Sequence, residues 1–192
     1  SSAIYPLYGQ TGGDTFGSST ANLGDINNDN INDFAVGATN NNPGGIGRVE
    51  VYSGATRNLL YQISGTAQDG RFGASIAKIP DINNDNVAEF VIGEPGVGRI
   101  GVYSGANGAL INSITGQPSG FGELVVGIGD FNGDGIDDIA VREIYQRTGG
   151  EAGGIKLARR TVSKYRNFLV NYATKIKESK IIKNLENEVE NE

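Results

Sequence analysis

The chain contains no cysteine, no histidine and no methionine among its 192 residues. Without cysteine there are no disulfides and no thiolate chemistry, and the compartment leaves no redox mark on the sequence. Without histidine the commonest general base, the commonest zinc ligand and any Ser-His-Asp triad are excluded. Catalysis would have to rest on carboxylates, Lys, Arg or Tyr. No run approaches eighteen apolar residues, which excludes a helical membrane span. The missing methionine and the initial Ser1 carry the expectation of a processed chain or a fragment.

What is present is glycine and acid. Glycine accounts for 30 residues, about twice ordinary usage, and suits a chain with many tight turns. An apolar fraction of 38% with a net charge of −6 describes a folded protein, not a disordered one. The charge is unevenly divided. Residues 1–155 hold 7 basic and 17 acidic side chains, whereas residues 156–192 hold 9 basic and 5 acidic. The last segment is a separate unit in character.

Phe-Gly pairs stand at Phe16-Gly17, Phe72-Gly73 and Phe121-Gly122, spaced 56 and 49 residues apart. Three acidic loops, beginning at Asp25, Asp81 and Asp130, keep the same offsets. Two independent markers with one spacing mean that a structural unit has been copied. In each unit the loop leads into an apolar run at Phe34, Phe90 or Ile139, and two units continue with Val-Tyr-Ser-Gly at Val51 and Val102. Period-two patterning bounded by Gly, Asn and Pro predicts four short strands per unit. Four strands in about fifty residues make the blade of a β-propeller; a β-sandwich would not repeat its sequence. The expectation is an all-β repeat of two to three blades followed by a C-terminal α-helix. Its parts are an outer strand over 1–9, blades over 15–64 and 71–115, and a partial blade over 120–145. A Gly-rich linker over 146–155 and a basic amphipathic helical tail over 156–192 complete the chain. Closed propellers need about four to eight blades, so open faces and self-association are expected.

The loops have the donors of a hard-cation site. Calcium takes six to eight oxygens from carboxylates, amides, backbone carbonyls and water. The first loop offers Asp25, Asn27, Asp29 and Asp33 with the Ile31 carbonyl. The second offers Asp81, Asn83, Asp85 and Glu89 with the Val87 carbonyl, and the third Asp130, Asn132, Asp134 and Asp138 with the Ile136 carbonyl. Position 6 must turn sharply and holds Asn30, Asn86 and Gly135, residue types that tolerate positive φ. An EF-hand would need an acid at position 12, where Val36, Ile92 and Val141 stand. A solvated Asx turn without metal leaves the triple spacing unexplained, and crowded carboxylates without a cation would raise one another's pKa. About three calcium ions are expected, with magnesium disfavoured by its stricter octahedral geometry.

Taken together, Phe16-Gly17-Ser-Ser19, Gly24-Asp25-Ile-Asn27-Asn-Asp29, Val36-Gly-Ala38 and Val49-Glu-Val-Tyr-Ser-Gly54 resemble FG-GAP repeats. Such repeats occur in the propellers of integrin α-subunits and in many bacterial surface proteins. The resemblance covers about residues 1–141. It implies blades around a central channel, a calcium loop joining the first two strands of each, and a ligand face opposite those loops. The implied function is non-catalytic recognition or adhesion, extracellular or at the cell surface, toward a protein or glycan. An accessory piece of a secreted carbohydrate- or lipid-active enzyme is the alternative. Nucleic-acid binding is disfavoured by the acidic repeat region. The tail carries apolar residues at Val162, Tyr165, Leu169, Tyr172 and Ile176, spaced 3, 4, 3, 4, which predicts a helix that docks onto the repeats or a partner.

Overall fold

The computed structural model describes residues 6–40, 42–116, 120–131 and 137–142 and the strand Ile155–Ala158. The first unit folds as β1 (Phe16–Gly24), β2 (Asp33–Ala38), β3 (Arg48–Tyr52) and β4 (Leu59–Ser64), an antiparallel sheet in sequence order. The second repeats it as β5 (Ser75–Ile79), β6 (Glu89–Glu94), β7 (Arg99–Tyr103) and β8 (Leu110–Thr115). The third consists of β9 (Val125–Gly129), β10 (Asp138–Arg142) and β11 (Ile155–Ala158), with β10 central. The result is an all-β protein of three small antiparallel sheets in a propeller-like arrangement. Among the described residues no ring closes, and no helix is long and apolar enough to cross a membrane.

The sheets stack through their faces, with β1, β5 and β9 adjacent on one side. The β2 and β3 strands of the first unit are almost wholly buried, whereas β4 is half exposed, with Leu59 and Leu60 reaching solvent. Burial therefore falls from the middle strands to the outermost one. Between the first two sheets lie Ala35, Val49, Val51, Phe72, Phe90, Ile92 and Tyr103; between the second and third lie Val91, Ile100, Val102, Phe121 and Val125. The Phe-Gly aromatics are thus packing wedges between sheets, with Phe72 and Phe121 buried. Tyr52 and Tyr103 share one repeat slot, stacked on Phe34 and Phe90 at centroid separations of 5.6 and 6.1 Å.

Each sheet seats the next by the same device. The Ser19 hydroxyl donates to the Gly73 carbonyl at 2.7 Å, and the Ser75 hydroxyl donates to that of Gly122 at 2.8 Å. The carbonyl fits because Gly37 and Gly93 lie opposite it. A Cβ at Gly37 would stand 2.2 Å from the Gly73 oxygen, and one at Gly93 would stand 1.9 Å from the Gly122 oxygen.

The outward face of the first sheet is closed differently. Where the second sheet has Gly70 and Gly101, the first has Asp14 and Glu50, and both bond Arg48. Tyr52 donates its hydroxyl to Glu50, and Gln10 reaches Glu50 at 2.7 Å and Gln62 at 2.9 Å. The Arg48 guanidinium, chiefly, holds the Asp14 carboxyl down to about 2 against its burial.

Two expectations are corrected here. Pro6–Gly9 form no strand, and residues 1–5 lie outside the described residues. The first sheet is complete without them, and the chain there instead delivers Gln10 and Asp14 to the polar cluster. Ile155–Ala158, assigned to the end of the linker and the start of the tail, is a strand paired antiparallel to β10 from Ile139↔Ala158 to Arg142↔Ile155. An unpaired β10 edge outweighs the helical periodicity of the residues beyond it, and Ile-Lys-Leu-Ala also reads at period two. The remaining expected tail, 159–192, lies outside the described residues.

Gly93→Ala is expected to destabilise the protein by about 2–3 kcal/mol in urea unfolding, because the new methyl displaces the third sheet. Asp14 has a depressed folded pKa, so its contribution is complete above the ordinary value of 3.8 and is lost as the pH falls toward about 2. The melting-temperature gap between the protein and Asp14→Asn should therefore be constant above about pH 5 and close progressively below pH 4.

Candidate metal centre

Both fully described loops connect the first two strands of a sheet, and both are wound by their own side chains. Asn28 and Asn30 adopt φ of 62° and 66°, and Asn84 and Asn86 adopt 63° and 66°. Two left-handed residues per loop curl the backbone so that its N–H groups point inward, and asparagine tolerates that region best after glycine. Sequence reasoning anticipates position 6 but not position 4.

Asp25 accepts from the N–H groups of Asp29 at 3.0 Å and Asn30 at 2.8 Å. Asp81 accepts four, from Asn83, Asn84, Asp85 and Asn86, at 3.2, 2.7, 3.3 and 2.8 Å. Desolvation works most strongly against ionising Asp81, but these donors together outweigh it and hold the carboxyl below the ordinary range. Asp29 and Asp85 each accept from the residue two places on, Ile31 at 2.9 Å and Val87 at 2.8 Å.

Position 9 closes the loop from inside the sheet. Asp33, Glu89 and Asp138 are buried, and each accepts the N–H of loop position 2: Ile26 at 2.9 Å, Ile82 at 2.6 Å and Phe131 at 3.2 Å. One bond recurs in all three units. Of the third loop, Asp130 and Asp138 are described, while Asn132, Asp134 and Ile136 lie outside the described residues.

The two complete loops differ in how tightly they gather acid. In the second, ligand-type oxygens of Asp81, Asp85 and Glu89 all lie within 4.8 Å of one another, the one such group among the described residues. The first loop does not gather Asp25, Asp29 and Asp33 so closely. Asp33 is one methylene shorter than Glu89, and its Oδ1 accepts the Gly54 N–H at 2.9 Å. The longer Glu89 side chain carries Oε1 up to the Asn83 amide at 3.0 Å.

That amide occupies a telling place. Asn83 Nδ2 donates to Asp85 at 2.9 Å as well as to Glu89, so a partial positive charge sits between two carboxylates. A cation there would do the same more strongly and would favour turning the amide so that Oδ1 faces the ion. Asp85 N, now 2.8 Å from Asn83 Oδ1, retains Asp81 as its second acceptor at 3.3 Å. The donor set is all oxygen, which suits a hard divalent ion.

Sequence reasoning missed the floor of the site. The Ser-Gly pair after each buried tyrosine lies under the loop: a Cβ on Gly54 would touch the Asn32 carbonyl at 1.9 Å, and one on Gly105 that of Ala88 at 2.0 Å. Ser53 donates to Asp29 at 3.3 Å. In the second unit Asp85 is held by Asn83 instead, and the buried Ser104 hydroxyl has no hydrogen-bond partner among the described residues. The signal was available as Val-Tyr-Ser-Gly recurring at one offset from the loop. Neighbouring sites are also linked, because Tyr61 of β4 donates to the Gly105 carbonyl at 2.6 Å.

Fold and site define an all-β repeat protein with acidic, oxygen-rich loops between paired strands. No family model matches the chain. It is distantly similar to integrin alpha chains. It is 30% identical to integrin alpha-4 of Xenopus laevis over 157 residues, which cover 72% of this chain and 15% of that protein. It is 33% identical to integrin alpha-11 of Homo sapiens over 155 residues, covering 70% of this chain and 13% of that protein. With integrin alpha-V of Gallus gallus it shares 30% over 145 residues, covering 67% and 14%. The chain thus spans about 15% or less of the length of these relatives.

Ser53→Ala is expected to cost about 1 kcal/mol in chelator, by loss of the bond to Asp29. Ser104→Ala should cost clearly less, since no bond is broken there. Equal losses in paired denaturant titrations would contradict this difference between the two units.

Proposed function

We propose that the chain is a calcium-stabilised module of FG-GAP type that serves recognition or adhesion outside the cell or at its surface, without catalysis of its own. The observation that carries this reading is the convergence of Asp81, Asp85 and Glu89 in a loop whose residue pattern is written three times. Similarity to integrin alpha chains supports it at the level of the module. Asp81, Asn83, Asp85 and Glu89 would hold one ion, with the Val87 carbonyl. Asp25, Asn27, Asp29 and Asp33 would hold another with the Ile31 carbonyl, and Asp130, Asn132, Asp134 and Asp138 a third with that of Ile136. Each ion supplies positive charge that relieves carboxylate repulsion and clamps a hairpin with little core of its own.

The ligand face of this reading lies at the other ends of the strands, where turns and crossovers are tied together. Gly44 N–H donates to Asp69 at 2.8 Å, Asp69 N–H to the Gly45 carbonyl at 3.0 Å, and Gly96 N–H to that of Gly70 at 2.9 Å. These bonds tie the β2–β3 turn of the first sheet and the β6–β7 turn of the second to the one crossover between those sheets. Such a rigid surface suits a protein or glycan ligand, since little ordering entropy is lost on binding.

Calcium added to the chelated protein should raise its melting temperature, and a concentration a hundred times the dissociation constant of a site should contribute about 2.7 kcal/mol. Calorimetry should report about three sites, and one fewer in Asp85→Asn. An unchanged melting temperature at millimolar calcium would sink the structural-ion reading. Glycan-array and cell-binding screens with and without chelator then test recognition.

A further inference from the structure

We infer that the outward face of the third sheet ends the repeat array and receives this chain's own segment 162–189 in place of a fourth Phe-Gly unit. The inference is independent of whether the loops bind calcium.

Each earlier sheet seats its successor with a serine donor and a glycine that leaves room for the incoming carbonyl: Ser19 with Gly37, then Ser75 with Gly93. In the third unit the corresponding positions are Leu124 and Arg142. A fourth Phe-Gly carbonyl would lose its hydroxyl partner and meet a Cβ where its predecessors meet only hydrogen. Both halves of the seat are gone.

The surface around that lost seat is nevertheless built to be covered. Ala77 and Val91 of the second sheet are buried against the third. Their counterparts are Val126 and Ala140, which pair across β9 and β10 on the outward side. Val126 is 43% exposed and the neighbouring Leu124 48%. The opposite end of the stack has no such gap, because Asp14, Arg48, Glu50 and Gln10 seal the first sheet with polar groups. Terminal units of repeat proteins need a cap.

The segment beyond β11 has the properties of such a cap. Ala158 is hydrogen-bonded into the third sheet, so the 34 residues after it start beside the exposed face. Their apolar stripe from Val162 to Ile176 would extend about 21 Å as a helix, against about 17 Å for a five-residue strand. The segment is basic where the repeats are acidic, so the docked state also gains long-range attraction.

The absence of native cysteine makes a direct test simple. Val126→Cys and Ile46→Cys place single thiols at two positions of equal exposure, 43%, in the described residues. In dilute full-length protein the thiol at 126 should be alkylated about tenfold more slowly than that at 46, and adding Leu169→Asp with Tyr172→Asp should remove the difference. Equal rates would overturn the inference, as would protection that survives the aspartates. Protection that rises with protein concentration would also overturn it, since a second copy would then be the occupant. In the unsubstituted chain, amides of 162–176 should exchange slowly; rapid exchange throughout that stretch would count against docking without any variant.

Discussion

A buried carboxylate at the root of each acidic loop is the constraint from which the rest follows. Asp33, Glu89 and Asp138 start the second strand of their sheets with side chains turned inward, and a charge so placed is costly unless bonded. Each is answered by the backbone N–H of loop position 2, so the loop must fold back over its own beginning. That closure sets the length of the turn and the register of the first two strands, such as Ile79↔Glu89 in the second sheet. In the second loop, where position 9 is the longer Glu89, the same closure leaves the oxygens of Asp81, Asp85 and Glu89 within 4.8 Å of one another.

Between sheets a second constraint operates, and it is steric. The Phe-Gly turn can enter only where its host sheet presents a glycine, and it is fixed there by a single hydroxyl. The aromatic ring then fills the space between the faces. Because seat and wedge are small and local, the intervening connections can vary in length without disturbing the stack, and the unit spacing changes from 56 to 49 residues.

Most of this was legible in the sequence because the repeat shows which residues occupy the same place. The eight strands of the first two units, the loop that joins the first two strands and the buried aromatics all follow from period-two runs placed between recurring markers. What was not legible was where one copy departs from another. Arg48 and Arg99 hold the same slot, yet one is paired by Asp14 and Glu50 and the other by Glu94, from a different strand. The acid cluster is tight in the second loop and looser in the first, because one methylene and the Gly54 N–H decide which way the position 9 carboxylate leans. The β11 strand was hidden by the Gly-rich stretch before it and by a helical pattern after it, and only the edge of β10 selects it.

The same departures decide what kind of object the chain is. Identical repeats would present identical faces, and every copy would invite another. Here the first copy turns charge outward and the third replaces the serine and glycine of the seat with Leu124 and Arg142. The seat that joins one sheet to the next is therefore altered in the third copy, and ion pairs occupy the outward face of the first. The two outer sheets thus depart from the pattern they share, and the middle unit, with both seats intact and the tighter acidic cluster of the two fully described loops, is the one that shows it unmodified.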